Sequence, residues 1–263
     1  MNNVVLYDRK GGVGWITLNR PERFNALNKE LVTKLVDCLK GAEDDREVGV
    51  VVITGAGKAW CAGGDLDEIT DMGNSSADVR RSYLLLFRDM VESVRRLSKP
   101  VIAAVNGYCI GGGNELNVAC DLTIASEKAK FGQAGSRVGS VPLMGATQIM
   151  PMLVGEKRAK EVIFLCRTYD AKQAEEMGWV NKTVPADELI PEVQRWCDEL
   201  LGMSPTALAL AKKSINIYYN LALQSMEDGL EAVTLYWGTD ESREGIRAFK
   251  EKRKPDFKKY LYK

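Results

Sequence analysis

The sequence predicts an α/β fold in which strands and helices alternate around one core. Residues 48–54 and Val101–Val105 are runs of β-branched and small apolar side chains, typical of buried strands. Each run leads into a glycine-rich segment, and stretches with helical spacing of apolar residues lie between them. This repeated order favours a layered α/β core. The length of 263 residues, 45% of them hydrophobic, suits one large domain or a domain with an appendage.

The N-terminal half predicts a hairpin followed by helices and buried strands. The turn Lys10-Gly11-Gly12 separates two short strand patterns. Two amphipathic helices follow, and the polar segment between them, residues 67–78, predicts a mobile loop. The predicted strands are residues 4–7, 13–18, 48–54, 101–105, 122–125 and 129–131, and the predicted helices are residues 29–43, 79–97 and 114–120.

The C-terminal half, from Leu143 onward, predicts mainly helices. The helical segments are residues 146–153, 157–165, 171–177, 187–201, 205–220 and 225–236, with a last helix ending near Lys252 and one strand at residues 180–184. The final residues, 250–260, are basic with interleaved aromatic side chains. Such a tail is either a solvated end or an arm that contacts phosphate groups.

The composition excludes several classes of function. The sequence contains no histidine, which removes serine and cysteine catalysis of the histidine-dependent type and every histidine metal site. Its 36 basic and 36 acidic residues argue against a nucleic-acid surface. Six cysteines without a C-x-x-C pair, no export signal and no long apolar run indicate a cytoplasmic protein with free thiols and no membrane partner. We expect no metal.

The stretch Val101–Asp121 carries the clearest chemical signal. A buried strand feeds a loop containing Gly107, Gly111, Gly112 and Gly113, and a helix begins directly after it. Such a junction presents unpaired N–H groups and the positive end of a helix dipole, which suits an oxygen that becomes negative. The segment at residues 55–66 is a second glycine-rich loop after a strand. Two such loops at one sheet edge would supply two donors to one oxyanion.

The glycine loops and the polar residues near them also have other interpretations. Glycines also serve simply to make turns, although neither loop carries a dinucleotide or P-loop fingerprint. Glu115 is either a first-turn acid that favours the helix dipole or a general acid/base beside the oxyanion. Asp65 and Asp121 at loop ends are typical of helix caps. Ser136 and Ser140 lie in a loop that could reach the same pocket.

Several motifs together resemble the crotonase superfamily, the enoyl-CoA hydratase/isomerase family, over nearly the whole chain. The matching segments are Asn19-Arg20-Pro21, Asn25-Ala26-Leu27, Cys61-Ala62-Gly63-Gly64-Asp65-Leu66, Asn106-Gly107, Gly111-Gly112-Gly113-Asn114-Glu115-Leu116, Cys120-Asp121, Phe131-Gly132-Gln133, and Ala174-Glu175 with Gly178 and Val180-Asn181.

The resemblance implies an α/β fold with a crotonase-like ββα spiral core, at residues 1–200, that holds the acyl-CoA site. A C-terminal helical trimerisation region, residues 201–263, is expected to close that site in a homotrimer or homohexamer. Coenzyme A enters as part of the substrate, and no other cofactor is implied. Gly64 and Gly112 correspond to the amides that hold the thioester oxygen. The expected substrate and coenzyme A contacts are Arg23, Ala62, Asp65, Leu66, Gly135 and Lys259.

One departure from the family pattern bears on the reaction. Typical hydratases carry a second glutamate two residues after the glutamine of Phe131-Gly132-Gln133, where this chain has Gly135. The segment Gln133-Ala134-Gly135 is instead similar to 1,4-dihydroxy-2-naphthoyl-CoA synthases and to hydrolases of alicyclic oxoacyl-CoA rings. Those synthases lack the glutamate found here at Glu115 and carry an aspartate where this chain has Pro142.

The resulting prediction is an acyl-CoA lyase of the enoyl-CoA hydratase type. It would add water to an unsaturated thioester, including a cyclic dienoyl-CoA, with Glu115, Gly64, Gly112 and Ser140 as the catalytic set. The alternative is hydrolysis or closure of a carbon–carbon bond in a cyclic β-oxoacyl-CoA. A minor alternative is a binding protein without catalysis.

Overall fold

The computed structural model describes residues 3–261. Ten strands form two sheets in this part of the chain. The strands are β1 Val5–Lys10, β2 Val13–Leu18, β3 Val50–Gly55, β4 Ala59–Cys61, β5 Val101–Val105, β6 Tyr108–Ile110, β7 Leu122–Ser126, β8 Lys130–Gly132, β9 Thr168–Asp170 and β10 Lys182–Val184. The larger sheet has the order β1-β2-β3-β5-β7-β10, and the smaller one the order β4-β6-β8-β9.

Eleven α-helices accompany the sheets among the described residues. They are α1 Lys29–Asp44, α2 Leu66–Gly73, α3 Ala77–Arg96, α4 Gly112–Ala119, α5 Met150–Val154, α6 Glu156–Leu165, α7 Ala171–Glu176, α8 Leu189–Leu201, α9 Pro205–Ile215, α10 Ile217–Tyr236 and α11 Asp240–Lys250. No helix within residues 3–261 is both long and apolar enough to cross a bilayer.

The chain winds through the two sheets in a repeated strand–strand–helix unit. The pairs β3 and β4, β5 and β6, and β7 and β8 each place one strand in the large sheet and the next in the small sheet. Within each sheet these strands are parallel, while the β1–β2 hairpin and the β8–β9 pair are antiparallel. The ββα spiral predicted from the resemblance is therefore confirmed.

Both faces of the large sheet are buried, which explains why its central strands are apolar at every position. Val51 and Ile53 of β3 pack into the core that holds α1 and α3. Val50 and Val52 face the opposite side, where Val193 and other α8 residues cover them. A strand buried on both faces needs a continuous apolar run. The strand predictions at residues 48–54 and 101–105 are therefore confirmed to within two residues at each end.

The prediction of a mobile loop at residues 67–78 is wrong. Residues Leu66–Gly73 form α2, and α3 begins at Ala77. Asp65 accepts a hydrogen bond from the Asp67 amide at the N-terminus of α2, and Ser76 caps α3. Ile69 and Met72 pack against the core. Caps and two apolar contacts therefore stabilise a short helix that has a polar composition.

Other boundaries also differ from the predictions. The three-residue strands β4, β6 and β9 were not predicted, because so short a segment shows no alternation. Residues 146–149 form turns, so α5 begins only at Met150. The break predicted after residue 220 lies at Asn216, between α9 and α10. Asp121 does not cap a helix. Its carboxylate accepts a hydrogen bond from the Val101 amide and pairs with Lys212 at 2.7 Å.

Candidate active site

One large cavity, of about 720 Å³, brings together both glycine loops and Glu115. Most of its apolar lining comes from α3, from the segment after β8 and from the C-terminal end of α10, with single residues from α2 and β6. The apolar lining residues are Ile69, Tyr83, Leu84, Phe87, Ile110, Val138, Val141, Pro142, Met144, Val233 and Trp237. Its mouth is marked by exposed side chains, among them Phe24 and Tyr108, which meet edge to face at 6.4 Å.

The two glycine loops converge because they follow neighbouring strands of the smaller sheet. The loop at residues 62–64 follows β4, and Gly111 follows β6. The prediction attached these loops to the buried strands of the large sheet, which end several residues earlier. Since β4 and β6 are parallel, with Cys61 opposite Cys109, their carboxyl ends meet at one edge. Both cysteines are buried within the strands, so neither thiol lines the cavity.

The Gly64 amide is left unpaired by the bridge that holds its loop. Leu27 donates its N–H to the Gly63 carbonyl at 2.7 Å and accepts the Asp65 N–H at 2.9 Å. In such a parallel bridge the intervening residue turns its own N–H to the opposite side. Gly64 lines the cavity, and its N–H has no acceptor among the described residues.

The Gly112 amide lies beside that of Gly64. Gly112 is the first residue of α4, so its N–H has no acceptor inside the helix, and none is present elsewhere in residues 3–261. A Cβ atom on Gly112 would lie 3.5 Å from the Gly64 nitrogen, and one on Gly63 would lie 3.3 Å from the Gly112 nitrogen. Two unpaired amides therefore lie close together in residues that line the cavity, at the positive end of the α4 dipole.

Close backbone packing explains the density of glycine here. Gly63 and Gly111 have φ values of 103° and 58°, which favour glycine. At Gly113 a Cβ atom would lie 2.2 Å from the Cys61 carbonyl oxygen. Any side chain at Gly113 would separate α4 from β4 and move the two amides apart.

Glu115 is a buried titratable group that lines the same cavity as these amides. It lies in the first turn of α4, is only 8% exposed, and lines the cavity. Its Oε1 atom accepts the Met144 N–H at 2.6 Å. Burial raises the pKa of Glu115 to about 8, although the amides of Met144 and Ala146 lower it in part. A carboxyl with this pKa can both accept and donate a proton near neutral pH.

The sequence matches the family model for enoyl-CoA hydratase/isomerase over residues 8–260. Solved structures agree. An enoyl-CoA hydratase from Bacillus anthracis is 36% identical, with coverage of 96% of this chain and 98% of that chain and a TM-score of 0.77. An enoyl-CoA hydratase/isomerase from Xanthobacter autotrophicus Py2 is 33% identical, with coverage of 96% and 98% and a TM-score of 0.87.

The chain belongs to the enoyl-CoA hydratase/isomerase family. The crotonase superfamily resemblance and the α/β fold class are thereby confirmed. A monofunctional enoyl-CoA isomerase from M. smegmatis is also similar, at 32% identity, with coverage of 86% of this chain and 95% of that chain and a TM-score of 0.70. Both hydratases and isomerases are therefore found among the similar structures.

Gly135 lines the cavity of this hydratase/isomerase family member, and its surroundings are tightly packed. A Cβ atom there would lie 3.0 Å from the Ser140 carbonyl oxygen and 3.1 Å from Pro142 Cδ. Gly135 is therefore packed closely against the segment that carries Ser140 and Pro142. Of the carboxyl side chains that line the cavity, Glu22 is exposed at the mouth, and Asp65 is bound in ion pairs. Glu115 is buried and lines the cavity without an ion pair among the described residues.

The structure separates the two candidate serines. Ser140 lines the cavity, and its Oγ atom accepts the Trp237 indole N–H at 3.2 Å. Ser136 does not line the cavity and donates its hydroxyl to the Ile163 carbonyl at 3.0 Å. Ser136 therefore anchors its loop to the end of α6 and does not face the candidate site.

Ion pairs organise the mouth of the cavity. The Asp65 carboxylate pairs with Arg20 at 3.0 Å and with Arg23 at 3.4 Å. Burial raises the pKa of Asp65, but hydrogen bonds from Arg20 and the Asp67 amide outweigh it, so the pKa is below its ordinary value. Arg23, Ala62, Asp65 and Leu66 all line the cavity.

Lys259 does not line the cavity of its own chain. Its ammonium group lies over the Tyr260 ring, 5.0 Å from the centroid. Lys250, near the start of the basic tail, pairs instead with Asp67 of α2 at 3.0 Å. The phosphate-contacting role of the tail stays an expectation.

The resemblance implied that the C-terminal region closes the site, but the sequence did not indicate which of its residues line the cavity. Val233, Trp237 and Phe249 line the same cavity as Glu115. Tyr83 and Phe87 of α3 also line it, with tilted rings whose centroids are 4.9 Å apart, and the Tyr83 centroid lies 6.1 Å from that of Trp237. The helical spacing of α3 indicated a buried face, but no motif distinguished core residues from cavity residues.

Proposed function

We propose that this protein is an acyl-CoA lyase of the enoyl-CoA hydratase type, which adds water to an α,β-unsaturated thioester through an enolate. The supporting observation is the pair of unpaired amides of Gly64 and Gly112 beside one buried carboxyl, Glu115. The apolar cavity behind them suits the acyl group. Coenzyme A takes part only as a portion of the substrate.

The two amides stabilise the charge that develops on the thioester oxygen. When a nucleophile attacks the β-carbon, the C=C electrons move toward the thioester and the oxygen becomes negative. The N–H groups of Gly64 and Gly112 lie close together without acceptors of their own, which supports the proposal that both donate to this oxygen. One such donor is typically worth about 2.7–4 kcal/mol in barrier height.

Glu115 moves one proton twice. As a carboxylate it accepts a proton from water while the water oxygen bonds to the β-carbon, and the electron pair of the double bond becomes the enolate. The protonated Glu115 then gives that proton to the α-carbon, and the thioester carbonyl is restored. The balance is addition of one water. A single carboxyl completes the cycle, in accord with Gly135 in place of a second glutamate.

The acyl group we propose is unsaturated and includes cyclic dienoyl rings. Aromatic and branched side chains from α3, α10 and the segment after β8 line the cavity and would contact the acyl group. Arg23, Ala62, Asp65, Leu66 and Gly135 would contact the thioester and its coenzyme A. Lys259 would reach the nucleotide phosphates of a neighbouring copy in a homotrimer or homohexamer.

A second candidate is isomerisation of a 3-enoyl thioester. It is favoured by the same observation, because one carboxyl can remove the α-proton and return it to the γ-carbon through the same enolate. The similar M. smegmatis protein carries the isomerase name. The carbon–carbon bond alternative, on a cyclic β-oxoacyl-CoA, would also use this enolate.

Product mass separates the reactions. Purified protein would be incubated with crotonyl-CoA, a cyclic dienoyl-CoA, a 3-enoyl-CoA and a β-oxocyclohexyl-CoA. Hydration gains one water and loses the conjugated absorbance, isomerisation gains conjugation at constant mass, and ring opening gains water without an initial double bond. If only the 3-enoyl-CoA is converted, at constant mass, the hydratase assignment is wrong. If none is converted and none protects the protein against thermal unfolding, the acyl-CoA assignment fails.

A further inference from the structure

The hydrogen bond between Trp237 and Ser140 lies inside the cavity and is not explained by the proton shuttle. Trp237 is only 5% exposed, and an indole N–H is exclusively a donor, so its burial requires an acceptor. Ser140 Oγ is that acceptor, at 3.2 Å. The hydroxyl hydrogen of Ser140 must therefore turn away from Trp237.

The Ser140 hydroxyl has no acceptor of its own among the described residues. Its Oγ atom appears in a hydrogen bond only as the acceptor from Trp237, and Ser140 lines the cavity. A serine hydroxyl supplies one donor and two acceptor sites. With one acceptor site taken by the indole, the free donor remains available to a molecule in the cavity.

The position of Ser140 indicates which part of that molecule it meets. Its carbonyl oxygen would lie 3.0 Å from a Cβ atom on Gly135, the position of the second glutamate in typical hydratases. Ser140 therefore lies next to the position at which typical hydratases carry the second glutamate, and it lines the same cavity as Glu115. The backbone keeps it there, since the Ser140 amide donates to the Gly135 carbonyl at 2.9 Å.

We propose that Trp237 is a positioning residue that orients the Ser140 hydroxyl to donate a hydrogen bond to an oxygen on the β-carbon of the acyl group. The inference rests on the proposed acyl-CoA function and deepens it. The site then favours thioesters that carry a β-oxygen over those that do not. The C-terminal helices thus contribute to specificity through a polar contact as well as by closing the cavity.

Matched thioesters test this without requiring turnover. Butyryl-CoA and 3-hydroxybutyryl-CoA differ by one oxygen, and calorimetry would give both dissociation constants for the purified full-length protein. We expect the better enantiomer of 3-hydroxybutyryl-CoA to bind about 3- to 10-fold more tightly, the range of one hydrogen bond. Ser140→Ala and Trp237→Phe should each bring the ratio of the two dissociation constants, butyryl-CoA over 3-hydroxybutyryl-CoA, close to one.

The double variant distinguishes positioning from packing. If Trp237 acts through Ser140, the double variant should have the same ratio of thioester dissociation constants as Ser140→Ala alone. Trp196→Phe is the matched control, because it also removes an indole hydrogen bond, to Glu192 of α8 at 2.8 Å, outside the cavity. Its ratio should equal that of the wild type. Thermal melting would verify that each variant is folded.

Two results would overturn the inference alone. One is equal binding of the two thioesters by the wild type, and the other is a ratio that survives Trp237→Phe in a folded protein. If neither thioester binds the wild type at all, the proposed acyl-CoA function fails and the inference fails with it.

Discussion

At the scale of single residues, the proposed chemistry depends on the carboxyl of Glu115. Burial raises its pKa to about 8. Two backbone amides that donate hydrogen bonds to the carboxyl lower the pKa, but by less than burial raises it. An ordinary exposed first-turn glutamate, such as Glu156 in α6, is ionised throughout the neutral range. Both glutamates lie in the first turn of a helix, so burial, and not helix position, gives Glu115 its raised pKa.

Replacing Glu115 by glutamine should lower kcat by about 10²–10⁴-fold while thioester affinity changes much less, because glutamine keeps the shape but cannot carry the proton. Steady-state kinetics on the best substrate and calorimetry with butyryl-CoA would measure both. The control is Glu156→Gln, the same change in another first helical turn that follows glycine. Near-normal turnover in Glu115→Gln would assign Glu115 to helix stabilisation only.

The raised pKa of Glu115 also predicts a pH profile. The free enzyme must begin with an ionised Glu115, so kcat/KM should rise about tenfold per pH unit below a pH of about 8 and level off above it. Glu115→Gln should lack this rise. A wild-type profile that falls across the same range would mean that the protonated form starts the reaction.

At the scale of elements, α4 and α11 determine the shape of the site. The first residue of α4 supplies one amide to the cavity, and its first turn supplies the carboxyl. Helix α11 connects the loop at Gly139, on one side of the cavity, with α2 on the other. Ser242 donates to the Gly139 carbonyl at 2.9 Å on one side, while Lys250 contacts Asp67 and Thr70 of α2, both at 3.0 Å, on the other.

Gly112→Pro removes one amide donor at a helix position that tolerates proline. We expect a loss of about 10²–10³-fold in kcat with a smaller change in thioester affinity. Glu156→Pro is the control, because Glu156 is the first residue of α6 and lies outside the cavity. Kinetics and calorimetry on both variants check this. Equal losses in both would indicate damage to helix folding and not to oxyanion stabilisation.

Gly245→Ala should loosen the junction between α11 and the cavity wall. A Cβ atom at Gly245 would lie 2.3 Å from the Gly139 nitrogen, so the helix or the loop must move. We expect a loss of about 1–3 kcal/mol in unfolding free energy and a higher KM. Gly41→Ala, in the interior of α1 with open space around it, should instead stabilise by about 0.5–1 kcal/mol. Urea unfolding of both variants measures the contrast, and equal effects would contradict the packing argument.

At the scale of the whole molecule, the two sheets bring distant parts of the chain to one cavity. Its lining residues run from Glu22 to Phe249. Outside the cavity, α9 and α10 carry large apolar side chains that their own chain leaves exposed. These are Leu210 at 62%, Ile215 at 70%, Tyr218 at 67%, Leu221 at 75% and Leu235 at 73% exposure. An apolar face of this kind is typical of a subunit contact.

We therefore expect a homotrimer or homohexamer in solution. Light scattering should give three or six times the chain mass, and Leu221→Glu should reduce it, because a buried carboxylate opposes association. Leu6→Glu, on the exposed edge strand β1, is the control and should leave the mass unchanged. A monomeric wild type would contradict the expectation.

Local patterns in the sequence were enough to predict much of this protein. The hairpin, the buried strands and α1, α3 and α4 follow from periodicity and turn residues, and the glycine loops with Glu115 marked the candidate site. These signals depend on residues near one another in the chain. The resemblance to family motifs added Gly64 and Gly112 and the acyl-CoA expectation.

Only the tertiary structure decided which elements meet. Three-residue strands such as β4 and β6 have too few residues to show a period, yet their pairing brings the two amides together. Helix α2 depends on caps and on contacts with the core, and Trp237 reaches Ser140 across nearly a hundred residues. Whether Gly135 leaves space depends on the Ser140 carbonyl beside it. Contacts between distant residues determine each of these features, and no local spacing records such contacts.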